Sequence, residues 1–450
     1  MNEIEEIQRN ETTTGRKLNF AVPRVSTAIV LGIEGFALFA LYYLGYGVPP
    51  FLVGFAQSMG FLSIAAGQFF FGWISDAKYT RWGRRKPYII IMAPVLGISF
   101  IFLLMPSLVL PDLNDKMALF FWVLIWDIVF RVSYSFTTVY QAWMAEQFPV
   151  GERPKVSQYQ NIMNYIGNAI MLIFTLLVLT PAFEGIAINP DVLPVTVFLP
   201  IWLFGILVIW FYASAVFTMP KEPHFKMESS LFKNLVTIVK NKNYMLIQLM
   251  QGFASFAWSI ITTVMLTFIE SVLGLSGIEY YIVAITLVIG FILTLSIWRR
   301  NIQKMGKKRA LLLLFLFAII LLPTSLLGLF TFASNIIFAI IFILIIAAAL
   351  AGWNLFPYIY YADLAEDDQR RTGDLKAGIY TGFPSILLNI FQAFGPLIVG
   401  AVLSLPEITV GTLTYSIGLV LWGPICSVIL LITYFYTRKF VTLDFDWERK

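Results

Sequence analysis

Twelve apolar runs decide what this chain can fold into. They begin near Val25, Pro50, Tyr88, Ala118, Val156, Pro194, Tyr244, Ile278, Ala310, Asn335, Lys376 and Gly411. Each is close to the roughly 20 residues a helix needs to cross a bilayer. Hydrocarbon offers no water to backbone N–H and C=O groups, so runs of this length must satisfy them internally as helices. Composition agrees: 59% of the 450 residues are hydrophobic and 13% are charged, where soluble domains carry about 25% charged residues. The expected fold class is all-α and integral to the membrane, with twelve transmembrane helices in two pseudo-symmetric six-helix bundles.

The cations set the expected topology. Gly72 to Tyr88 lies between two apolar runs and holds Lys78, Arg81, Arg84, Arg85 and Lys86 against one anion, Asp76. Such a cluster belongs in a short loop at a membrane face, and Lys/Arg-rich short loops are cytoplasmic. With the N-terminus inside, 29 of the 31 Lys and Arg residues fall in cytoplasmic segments. Lys116 falls outside and Arg131 inside a span. The expected organisation is a cytoplasmic tail (1–24), a first bundle (25–218), a central cytoplasmic loop (219–243), a second bundle (244–438) and a cytoplasmic tail (439–450). A multi-pass protein of the cell membrane with both termini cytoplasmic follows, and a monomer is expected. The net charge of +5 resides in these loops and is no argument for a nucleic-acid partner.

The two halves echo one another. Trp73 to Gly83-Arg84-Arg85-Lys86 recurs as Trp298 to Gly306-Lys307-Lys308-Arg309, and Ala145-Glu146 recurs as Ala362-Asp363, at offsets of 223 and 217 residues. Duplicated halves of this kind place a substrate site between them near the bilayer midplane.

Ionisable residues at membrane depth are costly and mark function. Glu34 lies about ten residues into the first run, or roughly 15 Å at the helical rise. No cation shares its helix, so it is expected as a lone carboxyl that carries a proton or binds a hydroxyl. Asp127 and Arg131 are four apart, share a helix face and can pair. Glu270, near the outer end of its run, is expected to be interfacial. The fifth run carries Gln158, Asn161, Asn164 and Asn168 at helical spacing, with Gln160 just off that stripe. The seventh offers Gln248, Gln251 and Trp258, and the eleventh Tyr380, Asn389 and Gln392. Amides bond hydroxyls and aromatic faces pack apolar ring surface, which suits a neutral, hydroxyl-rich solute. Helix-to-helix hydrogen bonding is the competing role for any one of these groups.

Other chemistry is not encoded. There is no GxxxxGK[ST] phosphate loop, and the only histidine, His224, is in the central loop. Neither a cofactor, a metal site nor an enzymatic centre is expected. Cys426, the single cysteine, allows no internal disulfide and sits in an apolar run.

The loop pattern Gly72, Asp76, Arg81, Gly83, Arg84 and Arg85 resembles the signature loop of the major facilitator superfamily. Its form Arg81-Trp82-Gly83-Arg84-Arg85-Lys86-Pro87-Tyr88, with Ala362-Asp363-Leu364-Ala365 and Gly378-Ile379-Tyr380, is similar to the glycoside-pentoside-hexuronide cation symporters and the related sucrose transporters. The resemblance implies a sugar-binding acid at Glu34 and a conformational latch formed by Asp76 with Arg81, Arg84 and Arg85. It also exposes departures. The two cation-binding acids of the second span are replaced by Ile64 and Gln68, a Lys of the eleventh by Asn389, and a fourth-span acid falls near Thr137. With the sodium ligands gone, coupling is expected to be to protons, through Glu34 or Asp127. The expected function is secondary active transport of a sugar or glycoside by alternating access, with an uncoupled facilitator or exporter of another small solute as the alternative.

Overall fold

The computed structural model describes residues 12–77, 79–149, 152–221, 240–275, 278–372 and 384–443. Among them are twelve helices long and apolar enough to cross a membrane. The chain forms two compact units: Met1–Val48 with Met59–Ser230, and Pro49–Ser58 with Leu231–Lys450.

The first unit begins with α1 (Thr14–Ala21) and α2 (Pro23–Ala40). Thr13 caps α1 by accepting from the Arg16 backbone N–H. Pro23 has no N–H to donate, so the chain breaks there and restarts with proline in the first turn of α2. The two helices form one span, Thr14–Gly45, which starts earlier than the Val25 boundary expected from hydropathy. Then follow α3 (Pro50–Ala77), α4 (Lys86–Leu104), α5 (Lys116–Tyr134), α6 (Thr137–Gln147), α7 (Arg153–Phe174) and α8 (Val195–Thr218). The Asp115 carboxylate caps α5 by accepting from the backbone N–H groups of Met117 and Ala118. Small residues let these helices approach closely, as lipid-embedded packing requires. Gly167 of α7 lies against the Val25 carbonyl of α2, and Gly97 of α4 against the Gly205 carbonyl of α8. Tyr140 stacks on Phe20 at 4.6 Å and meets Tyr212 edge-on at 5.0 Å.

The second unit contains α9 (Lys242–Ser271), α10 (Ile278–Met305), α11 (Lys307–Leu321), α12 (Ile336–Thr372), α13 (Pro384–Gln392), α14 (Phe394–Leu403) and α15 (Gly418–Phe440). The Asn241 side chain caps α9 by accepting from the Tyr244 backbone N–H. The α9 span is 83% buried, the most enclosed of the described spans. Gly306, at φ 84, sets the turn from α10 to α11 in a conformation other residues adopt only with strain. The start of α3 belongs to this unit: Gly54 lies on the Pro396 carbonyl and Gly400 on the Pro50 carbonyl.

The last apolar run does not begin near Gly411. Residues 407–416 form a hairpin of β1 (Glu407–Val410) and β2 (Leu413–Ser416), and α15 starts at Gly418. Apolar Ile408 and Val410 alternate with polar neighbours at a period of two, a strand signal. The Tyr415 hydroxyl ties the hairpin down by donating to the Gly328 carbonyl.

Candidate functional site

In the first unit, three charged side chains meet in an enclosed place. Glu34 of α2 and Asp127 of α5 are fully buried and Arg131 of α5 nearly so. Arg131 Nη2 donates to Glu34 Oε1 at 2.6 Å, while Arg131 Nε stands 3.9 Å from Asp127 Oδ1. The ring of Phe61 from α3 lies under the guanidinium, 3.8 Å from its carbon. Gly60, one residue earlier, makes room for Asp127: a Cβ there would overlap the carboxylate. Neither Asp127 oxygen receives a hydrogen bond from a donor among the described residues. The Glu34 carboxyl is near enough for its charge to act on Asp127.

This arrangement corrects the expectation of a lone carboxyl. The helix of Glu34 starts earlier than hydropathy suggests and so includes Arg24, ten residues away, but it is Arg131 of α5 that the fold brings to the carboxyl. The expected Asp127–Arg131 pair exists as the looser of the two contacts.

The amide stripe of α7 behaves differently. Gln158 and Asn161 are exposed on the surface of the unit, Asn164 and Asn168 half-buried, and Gln160 buried. None of the stripe residues makes a side-chain hydrogen bond to another described residue, so the helix-bonding role does not apply to them. Unbonded amides along a spanning helix are tolerable only where water reaches them.

In the second unit, α9 carries buried polar groups on one face. Gln248, Gln251, Ser255 and Trp258 are all at most 5% exposed. Gln251 Oε1, Ser255 Oγ and Trp258 Nε1 have no hydrogen-bond partner among the described residues. Trp258 stacks on Trp353 of α12 at 5.9 Å, and Phe315 of α11 lies beyond at 6.4 Å from Trp353. Asn389 is buried and donates from Nδ2 to the Ser385 carbonyl of its own helix. Gln392 is half-buried, and its backbone carbonyl accepts from Ser259 Oγ. Tyr380 lies outside the described residues.

The basic loop closes on an acid from α6. Arg84 and Arg85 both bond Glu146 Oε1, the Arg85 Nε at 3.1 Å, and Arg85 Nη1 donates to Ser75 Oγ at 2.6 Å. Gly83, at φ 112, allows the tight Thr80–Gly83 bridge that presents both arginines. Arg81 does not join them; it is exposed over Trp82. The side chain of Asp76 lies outside the described residues. Beside this cluster α1 is strapped down: Glu152 accepts from Thr12 and from Lys17 Nζ at 2.9 Å, and Arg16 Nη2 donates to the Gln147 amide oxygen at 3.0 Å. Partial burial raises the Glu152 carboxyl, but the bonds from Thr12 and Lys17 outweigh it and hold the group below its ordinary value.

Residues 20–436 match the family model described as MFS/sugar transport protein. The chain belongs to that family. No curated protein matches it in sequence. Among solved structures it is similar to a mutant of the nucleoside transporter NupG (TM-score 0.66, 13% identity, 95% of this chain and 100% of that one). It is also similar to a D-xylose-proton symporter (TM-score 0.63, 15% identity, 95% and 96%). A third is a bacterial homologue of the human lysosomal transporter Spinster (TM-score 0.64, 13% identity, 96% and 98%). At these identities the likeness is one of fold, and it places this family member in the major facilitator architecture.

Several groups of this MFS/sugar transport protein were not singled out from its sequence. Ser255 continues the Gln248–Gln251 stripe at helical spacing and was legible in principle. Trp353 and Phe61 carried no such signal, and Glu146 was read only as a landmark of the repeat, because their partners lie on other helices.

Proposed function

We propose that this protein carries a sugar or glycoside across the cell membrane by alternating access, driven by protons. The observation that supports the reading is the buried set of two carboxyls and one guanidinium. With both acids ionised it would hold one uncompensated negative charge in a fully buried place, a state that costs kilocalories. Binding one proton neutralises it. Asp127, which Arg131 serves less closely than it serves Glu34, is the group that takes the proton in this conformer. Release on the far side re-ionises it, and Arg131 can then move between the two acids.

The α9 face supplies, at Gln251, Ser255 and Trp258, hydrogen-bonding atoms that no described residue uses, with Gln248 beside them, and the Trp258–Trp353 pair supplies a ring surface to stack on. Asn389 and Gln392 belong to the same unit, and the α7 amides Gln158, Asn161 and Asn164 are the polar stripe of the other. Hydroxyls satisfy such atoms and the sugar ring covers the indole. The stacked Trp258–Trp353 pair equally suits the flat base of a nucleoside, the second reading. Arg84 and Arg85 on Glu146 act as the latch that holds one conformation at the cytoplasmic face, where both termini are placed.

Purified protein in liposomes, given radiolabelled sugars, glycosides and nucleosides with pH set independently on each side, tests the reading. Accumulation above equilibrium only with an imposed pH gradient supports it. Equilibration without accumulation assigns the protein to the facilitators.

A further inference from the structure

In each unit a lysine at the start of the third span fastens it to the end of the sixth. Lys86 Nζ of α4 donates to the Met219 carbonyl, at the end of α8, at 2.6 Å. Lys308 Nζ of α11 donates to the Arg438 carbonyl of α15 at 3.2 Å. The contact is duplicated, but the charges around it are not. In the first unit Arg84 and Arg85 are closed on Glu146, and the last turn of α8 carries no cation. In the second, the last turn of α15 carries Arg438 and Lys439, and Arg309 follows Lys308 in the first turn of α11. All three are exposed, and no carboxylate lies within ion-pair distance of them among the described residues. Neither α11 nor α15 contains an acid. Fastening the helices accounts for Lys308 and leaves three cations over.

Each helix also carries an exposed apolar stripe that ends in a cation. On α11 the exposed positions recur as Arg309, Leu313, Leu316 and Ile320, at spacings that hold one helix face. On α15 they recur at the same spacings as Val428, Ile432, Phe435 and Lys439, with Arg438 adjoining. Each stripe rises about 16 Å along its helix. That is the depth of one leaflet of a hydrocarbon core roughly 30 Å thick. The two helices pack against one another. Ser325 Oγ, just past α11, donates to the Val420 carbonyl at 2.7 Å near one end, and Lys308 holds the other. The three cations are therefore gathered at one end of a paired apolar face.

Apolar side chains exposed along spanning helices belong in hydrocarbon, and basic groups between such helices at the cytoplasmic side suit anionic headgroups. A soluble anion would answer the cations but leave the stripes uncovered. A zwitterionic lipid would cover the stripes but bring its own cation to the basic end. We propose that the α11–α15 face binds one anionic phospholipid of the cytoplasmic leaflet. Arg309, Arg438 and Lys439 hold its phosphate, and its acyl chains lie along the two stripes. The site is independent of which solute the protein carries.

The test is lipid retention by full-length protein in neutral detergent, counted by native mass spectrometry during titration. The probes are phosphatidylglycerol, phosphatidylcholine, glycerol phosphate and inorganic phosphate. The variants are Arg309→Gln/Arg438→Gln/Lys439→Gln and, as a control for net charge, Arg299→Gln/Arg300→Gln/Lys304→Gln, which removes three exposed cations from α10. Wild type is expected to bind one phosphatidylglycerol about tenfold or more tightly than phosphatidylcholine. The first variant should lose at least about tenfold of that affinity and the α10 variant less than about twofold, since each surface cation contributes about fivefold. Should the first variant fail to fold, Lys439→Gln alone carries the comparison, with a loss of about fivefold. Equal binding of the two lipids overturns the proposal, as does an equal loss in both variants, which is an effect of diffuse charge. Glycerol phosphate or inorganic phosphate binding as tightly as the lipid overturns it in favour of a soluble anion. Phosphatidylglycerol binding that appears only after deletion of residues 444–450, which include Asp444, Asp446 and Glu448, overturns it in favour of that segment as the occupant.

Discussion

Arg131 bonds Glu34 on another helix at 2.6 Å and leaves Asp127, one turn away on its own helix, at 3.9 Å. An i,i+4 pair is the easier contact to form, so the fold has given the guanidinium to the more distant acid in sequence. The result is an uneven sharing of one cation by two buried carboxyls.

Arg131→Gln would leave both acids without a cation in a dry place. Removing one partner of a buried pair costs about 3–5 kcal/mol. The variant is expected to melt well below wild type at neutral pH and to recover part of that loss at acid pH, where both carboxyls can be protonated. Melting curves at the two pH values in detergent check this.

Gly60→Ala is expected to disable transport more than its size suggests. The added methyl would overlap the Asp127 carboxylate, and both groups sit in helix backbone that cannot easily move. Initial uptake rates should fall about tenfold or more, since small misplacements of a working group carry such costs. Gly185→Ala, where a methyl meets open space, is the control and should behave as wild type.

Glu152 ties the N-terminal strap to the start of α7. Its carboxyl is held below the ordinary value, so its contribution is present above the unfolded value of about 4.3 and is lost as pH falls through the lower folded value. Amide protection factors in Thr14–Ala21, relative to intrinsic exchange at the same pH, should therefore fall once pH drops below the ordinary Glu value. Glu152→Gln should show faster exchange already at neutral pH. Unchanged protection in that variant would remove Glu152 as the anchor.

The α9 face is expected to govern substrate affinity. Trp258→Ala loses the stacked surface against Trp353, and Gln251→Ala removes an oxygen that no donor among the described residues uses. Apparent KM should rise about tenfold for Trp258→Ala, in line with loss of one aromatic anchor. Gln251→Ala should cost little stability, because that oxygen has no such bond to lose. A Gln251→Ala variant with a lowered melting point and normal KM would make that residue structural.

The twelve spans were legible because hydrocarbon permits so few solutions. A run near 20 apolar residues is a helix whatever its neighbours do. The hairpin at 407–416 is masked in hydropathy because Val410, Leu413 and Tyr415 raise the value of a segment whose period is two. The polar residues of the site were legible as residue types out of place in a membrane. Their pairings were not: Glu34 finds Arg131, and Arg84 finds Glu146, only through helix packing that no local spacing encodes. The α7 and α9 stripes looked alike in sequence, yet one is largely exposed and the other buried, a difference set by what packs over each helix.

The central claim is that the Glu34–Arg131–Asp127 cluster takes up one proton that moves with substrate. It is tested most directly by a pH-sensitive dye trapped inside liposomes, with substrate added outside to wild type and to Asp127→Asn. The account predicts that substrate acidifies the lumen of wild-type liposomes, and that Asp127→Asn still exchanges labelled substrate but moves no protons. Substrate uptake by wild type without acidification, or undiminished proton movement in Asp127→Asn, would contradict it.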